Sequence, residues 1–136
     1  MVEIVGALLI RGRAVLMGLR SADKAMLPQC WDVIGGHVEA GETPYETLVR
    51  EVAEEIGVTV LSAEPLDVVT YDLPGQPTLV QHLFVVTGWN GEISLANDEH
   101  TELRWFSVDE LGTIPDDAFR AYRPQLERTI RSRRPL

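Results

Sequence analysis

GHVEAGETPYETLVREVAEEIGV, residues 36–58, contains the signals that begin and end one helix. Thr43 is a good N-cap, and a glutamate three positions later completes a capping box with it. Pro44 suits the first helical position, because its missing N–H would have no partner there. Gly57 is the residue type that ends helices in the left-handed conformation. The sequence therefore predicts a helix from about Pro44 to Ile56.

Two stripes of side chains run along this predicted helix. On a wheel of about 100° per residue, six residues fall in one arc of roughly 140° and form the expected buried stripe. These residues are Tyr45, Leu48, Val49, Val52, Ala53 and Ile56. The second stripe consists of the carboxylates of Glu51, Glu54 and Glu55, and we expect it to be separate from the core.

The acidic stripe predicts a metal site. Glu51 stands one helical turn from both Glu54 and Glu55, and like charges at this spacing destabilise a helix by a few tenths of a kcal/mol per pair. A divalent cation would compensate, and ligands that are all oxygen favour Mg²⁺ or Mn²⁺. A solvated acidic face is the alternative. Two features argue against this alternative. The helix dipole disfavours negative charge at the last turns, where the glutamates lie. A glycine pair and Glu42 precede the helix, and glycines let a backbone carbonyl approach a ligand or metal.

The same residues resemble the sequence box of the Nudix family. The pattern requires Gly, Glu, Arg-Glu-aliphatic, Glu-Glu and Gly-aliphatic at fixed spacing. The matching positions are Gly36, Glu42, Arg50-Glu51-Val52, Glu54-Glu55, Gly57 and Val58. Trp31-Asp32 before the box and the segment 102–111 after it also look like flanking elements of MutT-type members.

This resemblance implies an α/β protein with the Nudix fold, an α/β/α sandwich around a mixed β-sheet. It also implies Mg²⁺-dependent hydrolysis of a nucleoside diphosphate linked to another group, with Mn²⁺ as a substitute. A MutT-like enzyme that converts a (deoxy)nucleoside triphosphate to monophosphate and pyrophosphate is the first hypothesis. An ADP-ribose or nucleotide-sugar pyrophosphatase is the alternative, and a non-catalytic module that senses a nucleotide is a remoter one.

The resemblance also assigns roles within the box. It implies that Glu54 and Glu55 bind the metal with help from the Gly35 carbonyl. Glu51 would be a further ligand or the base that orients the attacking water. Arg50 would hold glutamates by bidentate pairing. Gly36, Glu42 and Gly57 would be structural residues of the box.

Residues outside the box complete the predicted site. The family often takes one more acid from a later loop. Glu99 and Glu102 are both placed for that role, and Glu102 is preferred as the additional metal ligand and catalytic acid. Arg20, Lys24 and Trp31 lie before the box and are candidates for substrate binding.

Other residues receive structural interpretations. We expect the aromatic rings of Tyr71, Phe84 and Trp105 to pack in the core. The histidines His37, His82 and His100 have no metal-ligand spacing and are expected to be structural or surface residues.

Composition excludes several classes of protein. The chain of 136 residues has 12 basic and 21 acidic residues and a net charge of −9, so it lacks the charge for general nucleic-acid binding. A phosphate ligand would need a cation to approach a protein with this negative charge.

The single cysteine, Cys30, forms no internal disulfide, which favours a reducing cytosol. No targeting segment or membrane span is visible. We expect one cytoplasmic domain, residues 1–136, that binds a small nucleotide and has no membrane partner. Nudix proteins occur as monomers and as homodimers, and the sequence favours neither oligomeric state.

The remaining pattern is mainly extended. The predicted strands are Val2–Ile10, Ala14–Leu19, Trp31–Val38 with a break at Gly35-Gly36, Leu66–Tyr71, Thr78–Trp89 and Arg104–Phe106. Ser107–Glu110 has the form of a capping box that opens a brief helix. A last helix from about Asp116 to Arg131 would place Phe119, Tyr122, Leu126 and Ile130 on one face. Strands with one embedded and one terminal helix favour a mixed sheet covered by helices.

Overall fold

The computed structural model of the chain describes residues 1–24, 29–72, 74–114 and 122–132. The strands in these ranges are β1 (Val2–Arg11), β2 (Ala14–Arg20), β3 (Trp31–Asp32), β4 (Ile34–His37), β5 (Thr59–Tyr71), β6 (Leu79–Asn90) and β7 (His100–Phe106). The helices are α1 (Pro44–Ile56), α2 (Val108–Leu111) and α3 (Arg123–Ser132). None of the helices in these ranges is long and apolar enough to cross a membrane.

β1 is the central strand of a mixed sheet. It pairs in parallel with β6 and in antiparallel with both β2 and β4. The strand order is β3-β2-β1-β6-β5, with β7 on β2 and β4 on β1. A strand buried on both faces is expected to be apolar at consecutive positions. Residues 5–9 of β1 are all buried, which explains the uninterrupted apolar run there.

Helices cover both faces of this sheet, as the sequence predicts. Leu48, Val52 and Ile56 of α1 belong to one hydrophobic cluster with the residues of one sheet face. On the other face, Tyr122 and the α3 residues Leu126 and Ile130 pack with Phe106 and Met17, among others. The α/β/α arrangement follows from these two separate cores.

α1 has the predicted boundaries and caps. The Thr43 side chain accepts a hydrogen bond from the backbone N–H of Glu46, whose side chain accepts one from the N–H of Thr43. Gly57 has a φ of 72°, the left-handed conformation in which a side chain would be strained. Gly57 therefore has the structural role that the sequence predicts.

The predicted division of α1 into a buried and an acidic stripe is partly wrong. Tyr45 and Ala53 of the predicted buried stripe are exposed, whereas Glu55 of the acidic stripe is 2% exposed. The buried face is therefore rotated toward Glu55, because the helix packs with that side against the sheet. Only Glu51 and Glu54 of the three carboxylates keep appreciable exposure.

Three predictions differ from the structure. The stretch predicted to break at the glycine pair is divided at Val33 instead, and both glycines lie within β4. β5 begins at Thr59 rather than Leu66, and β7 begins at His100 rather than Arg104. The pairing of β5 with β6 contains three register shifts, all between Val60 and Asp67. α3 is described from Arg123 onward, and the predicted part of this helix that includes Phe119 lies outside the described residues.

Candidate active site

Arg50 of α1 holds three glutamates at once. Its Nε and Nη2 donate to the two carboxylate oxygens of Glu42 over 2.7 and 3.0 Å, which is bidentate pairing. Its Nη1 donates to Glu51 Oε1 over 2.8 Å and to Glu54 Oε2 over 3.2 Å. Nη2 also donates to the backbone carbonyl of His37 over 3.1 Å. Arg50 thus ties α1 to β4 and fixes the carboxylates that the sequence places around it.

Glu42 fastens the loop before α1 to the helix. Besides Arg50, it accepts hydrogen bonds from the backbone N–H of Glu39 and from the Thr47 hydroxyl. Hydrogen bonding to Arg50 is the main cause that lowers the pKa of Glu42 to about 2. The carboxylate is therefore ionised at any physiological pH. This contact supports the structural role predicted for Glu42.

The two glycines of β4 let the helix and the sheet approach closely. A Cβ at Gly36 would lie 2.5 Å from the side-chain carboxyl carbon of Glu51. A Cβ at Gly35 would lie 1.9 Å from the Val5 carbonyl oxygen. Any larger residue at either position would push these groups apart. The glycine pair therefore sets how near the Glu51 carboxylate comes to β4.

Glu55 is a buried carboxyl group in an acidic environment. Burial is the largest cause that raises its pKa far above the ordinary value, followed by hydrogen bonding to Glu51 and the charges of Glu51, Glu99 and Asp32. Within the part of the chain that the structure describes, Glu55 Oε2 is buried and has no hydrogen-bond partner. His100 Nδ1 lies 3.5 Å from Glu55 Oε1. Negative charge at this position thus needs a further positive group.

A cavity of about 380 Å³ lies near the acidic cluster, and Glu51, Glu54 and Glu55 are not among the residues that line it. Ligand pockets occupy roughly 300–1,000 Å³, so this volume is at the small end of that range. Four residues predicted for the site line it, namely Arg20, Lys24, Gly35 and Gly36. Asp32, Gln81, His100 and Glu99 also line it. Two of its lining residues are next to the cluster: a Cβ at Gly36 would meet Glu51, and His100 Nδ1 lies 3.5 Å from Glu55 Oε1.

The structure places Glu99, and not Glu102, beside this cavity. Glu99 Oε2 pairs with Lys24 Nζ over 2.5 Å, and the Glu99 charge contributes to the raised pKa of Glu55. Glu102 is exposed on β7 opposite Leu19 and does not line the cavity. The preference for Glu102 as additional acid is therefore not supported by its position. The reason is that β7 begins before Glu102, so this residue lies within a strand and not on the preceding loop.

Trp31 is also not at the cavity. Its ring packs edge-to-face on Phe106 with the centroids 5.0 Å apart, as part of the core under α3. The neighbouring residue, Asp32, is the one that lines the cavity. The hydroxyl of Tyr122 donates a hydrogen bond to Asp32 Oδ1. Burial raises the pKa of Asp32 to about 7 against the lowering effect of Arg20.

The polar cavity residues Asp32, Gln81 and His100 are among those that the sequence did not assign to the site. Each lies on a different strand, outside the box, so no spacing connects them. His100 is buried as the structural interpretation expects, and burial is the main cause that lowers its pKa to about 4. The only available signal was the position of Asp32 shortly before the glycine pair.

The donor set fits a hard divalent cation. Glu51, Glu54 and Glu55 provide carboxylate oxygens only, and such ions prefer oxygen ligands. The partnerless Oε2 of Glu55 is the observation that favours a cation here. Among residues 1–24, 29–72, 74–114 and 122–132, no three acidic, His or Cys side chains already form a ligand group. Arg50 donates to one oxygen each of Glu51 and Glu54.

Comparison with known proteins agrees with this geometry. The family model described as NUDIX domain matches residues 2–128. The NAD-capped RNA hydrolase NudC of Pseudomonas aeruginosa is 34% identical over 108 residues, which are 79% of this chain and 37% of that protein. The chain thus spans little more than a third of the length of that relative. The CTP pyrophosphohydrolase of Escherichia coli is 32% identical over 117 residues, covering 85% of this chain and 82% of that protein.

The fold has solved counterparts as well. The crystal structure of a MutT NUDIX hydrolase from Burkholderia pseudomallei superposes with a TM-score of 0.79 at 28% identity. The superposition covers 92% of this chain and 95% of that one. The expected Nudix fold is therefore confirmed. Members of this family generally use divalent metal ions. With the box residues gathered around Arg50 and a family model that matches residues 2–128, the chain belongs to the Nudix hydrolase family.

Proposed function

We propose that the chain is a Mg²⁺-dependent pyrophosphohydrolase that converts a (deoxy)nucleoside triphosphate to the monophosphate and pyrophosphate. The observation that carries the proposal is the buried, partnerless oxygen of Glu55 beside a cavity with cations at its wall. The relative that the chain covers over 82% of its length is named a CTP pyrophosphohydrolase, which supports a triphosphate substrate.

The metal ligands in this proposal are Glu51, Glu54 and Glu55, with the Gly35 carbonyl. Mg²⁺, when bound, offsets phosphate charge and lowers the pKa of a bound water, and Mn²⁺ would substitute for it. Glu99 is the additional acid that we now propose in place of Glu102, because it faces the same cavity as His100. Glu51 stays a candidate both for a ligand and for the base that orients the water.

The basic residues act on the substrate and on the ligands. Arg50 holds Glu51 and Glu54 in place through Nη1, so that the carboxylates keep one arrangement. Arg20 and Lys24 line the cavity and are the groups that would contact phosphate oxygens. Such contacts are charge-assisted and therefore stronger than neutral hydrogen bonds. The net charge of −9 makes these cations and the metal necessary for an anionic substrate.

A hydrolysis screen tests the substrate. The purified protein is incubated with Mg²⁺ or Mn²⁺ and with nucleoside triphosphates, 8-oxo-dGTP, ADP-ribose, nucleotide sugars and diadenosine tetraphosphate. Pyrophosphate and monophosphate are measured separately. Pyrophosphate released from a triphosphate supports the proposal. Absence of metal-dependent turnover on every compound would contradict it and favour the nucleotide-sensing module.

Glu55→Gln and Glu54→Gln test the metal site. Each change keeps the size of the side chain and removes a carboxyl group that could act as a metal ligand. We expect kcat to fall by about 10²-fold or more, because the ligands act together on one transition state. Glu92→Gln, at an exposed position outside the cluster, is the matched control. Unchanged hydrolysis in both site variants would contradict the metal assignment.

A dinucleotide substrate is the second candidate function. It is favoured by the 34% identity to a protein named NAD-capped RNA hydrolase. ADP-ribose and nucleotide sugars present the same central diphosphate to the site. Monophosphates formed from these compounds without free pyrophosphate would support this candidate. A cytoplasmic location is part of both candidates.

A further inference from the structure

His100 and Glu55 form a buried pair, in which the proposed function gives a role to Glu55 but none to His100. The two side chains are 3% and 2% exposed, and His100 Nδ1 lies 3.5 Å from Glu55 Oε1. Neither His100 Nδ1 nor Glu55 Oε2 has a hydrogen-bond partner among the described residues. A buried polar atom without a partner destabilises the folded protein, because it has lost its hydrogen bonds to water. The fold nevertheless places these two side chains next to each other, which indicates that their proximity has a role in the site.

The backbone around His100 is arranged to hold its ring in this place. The ring lies over Gly18 of β2, where a Cβ would come within 2.4 Å of the His100 Cδ2 atom. The register between β2 and β7 shifts between Leu19 and Arg20, so that Arg20 pairs with His100. Irregularities of this kind re-aim a side chain beside an active site. Both features direct the imidazole to Glu55.

We propose that His100 is a positioning residue for Glu55, whose Nδ1–H donates to Glu55 Oε1 and leaves Oε2 as the oxygen available to a divalent cation. The inference rests on the proposed function, since it requires Glu55 to be a metal ligand. Residues that hydrogen-bond to a metal ligand orient it, and removing one typically weakens metal affinity or activity by about 10–100-fold. His100 fits this role because its Nδ1 atom lies 3.5 Å from Glu55 Oε1.

A matched pair of substitutions separates the hydrogen bond from packing. His100→Asn places an amide nitrogen near the position of Nδ1, whereas His100→Leu has almost the same shape without a donor. We expect the Mn²⁺ dissociation constant of H100N to stay within about threefold of the wild type. That of H100L should rise about 10–100-fold. Binding is measured by the loss of the free Mn²⁺ electron paramagnetic resonance signal, without substrate.

Thermal unfolding of the metal-free proteins controls for folding. His82→Leu is the control variant, because His82 is half-buried and contacts Glu3, away from the metal cluster. Should H100L fail to fold, His100→Gln makes the same comparison, since its amide lies one bond further from the backbone than Nδ1. In that case H100Q is expected to bind Mn²⁺ more weakly than H100N.

The outcomes distinguish this inference from the proposed function. If the wild type binds no Mn²⁺, the proposed function itself fails. If the wild type binds Mn²⁺ and H100L binds it equally well, the positioning role is wrong while the metal site stands. Equal weakening in H100N and H100L would show that His100 acts by packing alone, which also overturns the inference.

Discussion

Arg50 is the residue on which the arrangement of the glutamates depends. A guanidinium group has five N–H donors in a planar fork, which suits several carboxylates at once. Here the fork meets Glu42 with two nitrogens and reaches Glu51 and Glu54 with the third. These contacts raise the pKa of Arg50 above its already high value.

Arg50→Lys is expected to reduce kcat roughly 10–100-fold, because an ammonium group is a point charge and cannot bridge Glu42 and Glu51 together. Steady-state hydrolysis of the substrate found in the screen measures the effect. Thermal unfolding of the same variant checks that it folds. Wild-type kcat in R50K would show that the fork is not needed to hold the ligands.

The lowered pKa of Glu42 predicts how the free energy of unfolding depends on pH. Its pKa is about 2 in the folded protein against an ordinary value of 4.5, so its ionised form is favoured by folding. This contribution is fully present above pH 4.5 and is lost as the pH falls toward 2. Glu42→Gln should therefore lower the free energy of unfolding at pH 6 and have a smaller effect at pH 3. Urea unfolding at both pH values measures this difference. An equal loss at the two pH values would contradict the assigned pKa.

The sequence was informative about those site residues that share one helix and its preceding loop. Spacing alone grouped Glu51 with Glu54, since a helix turns through a known angle per residue, whereas the family resemblance implied that Arg50 holds them. It could not place Asp32 and Gln81, which lie on separate strands and meet only through sheet pairing. It also did not show that Glu55 would be buried, because a charged residue is normally expected on the exposed side.

α1 is the element that the sequence predicts most completely. Caps and the residue that ends it are local signals, and local signals do not depend on the remaining fold. β5 illustrates the opposite case. Its first half, Thr59–Pro65, contains serine, alanine, glutamate and proline and lacks the alternation by which a strand is recognised. This half is mostly exposed, so no buried face imposes that alternation.

Thr43→Ala is expected to lower the free energy of unfolding by about 1 kcal/mol, because the first turn of α1 loses the acceptor for the Glu46 N–H. Thr43→Ser keeps a hydroxyl at the same position and should lose only a few tenths of a kcal/mol. Urea unfolding of the three proteins measures the difference. Equal stability of T43A and T43S would show that the capping hydroxyl does not contribute.

The whole molecule has an excess of negative charge that a cation would offset. With 21 acidic and 12 basic residues, self-repulsion opposes the compact state, and it is strongest where carboxylates are gathered. A ligand that binds the folded protein only stabilises it, by about 2.7 kcal/mol at a hundredfold excess over its dissociation constant. The stability of the protein and the occupancy of its site are therefore linked.

Mg²⁺ or Mn²⁺ at such an excess is expected to raise the unfolding temperature by several degrees, and EDTA should reverse the rise. Differential scanning calorimetry at constant ionic strength measures it, with Na⁺ as the screening control. Glu55→Gln should lose most of the rise, whereas Glu92→Gln should keep it. The same rise in E55Q as in the wild type would place the bound ion elsewhere.

The three register shifts along β5 have a consequence for association between molecules. β5 is the last strand on its side of the sheet among the described strands, and an edge strand offers unpaired backbone groups to any other chain. A long regular edge of this kind invites aggregation, and natural proteins interrupt it. In β5 the shifts break the regular spacing, Pro65 has no N–H to donate, and Glu64 and Asp67 add repulsion. The irregular pairing of β5 therefore also disfavours edge-to-edge association of one molecule with another.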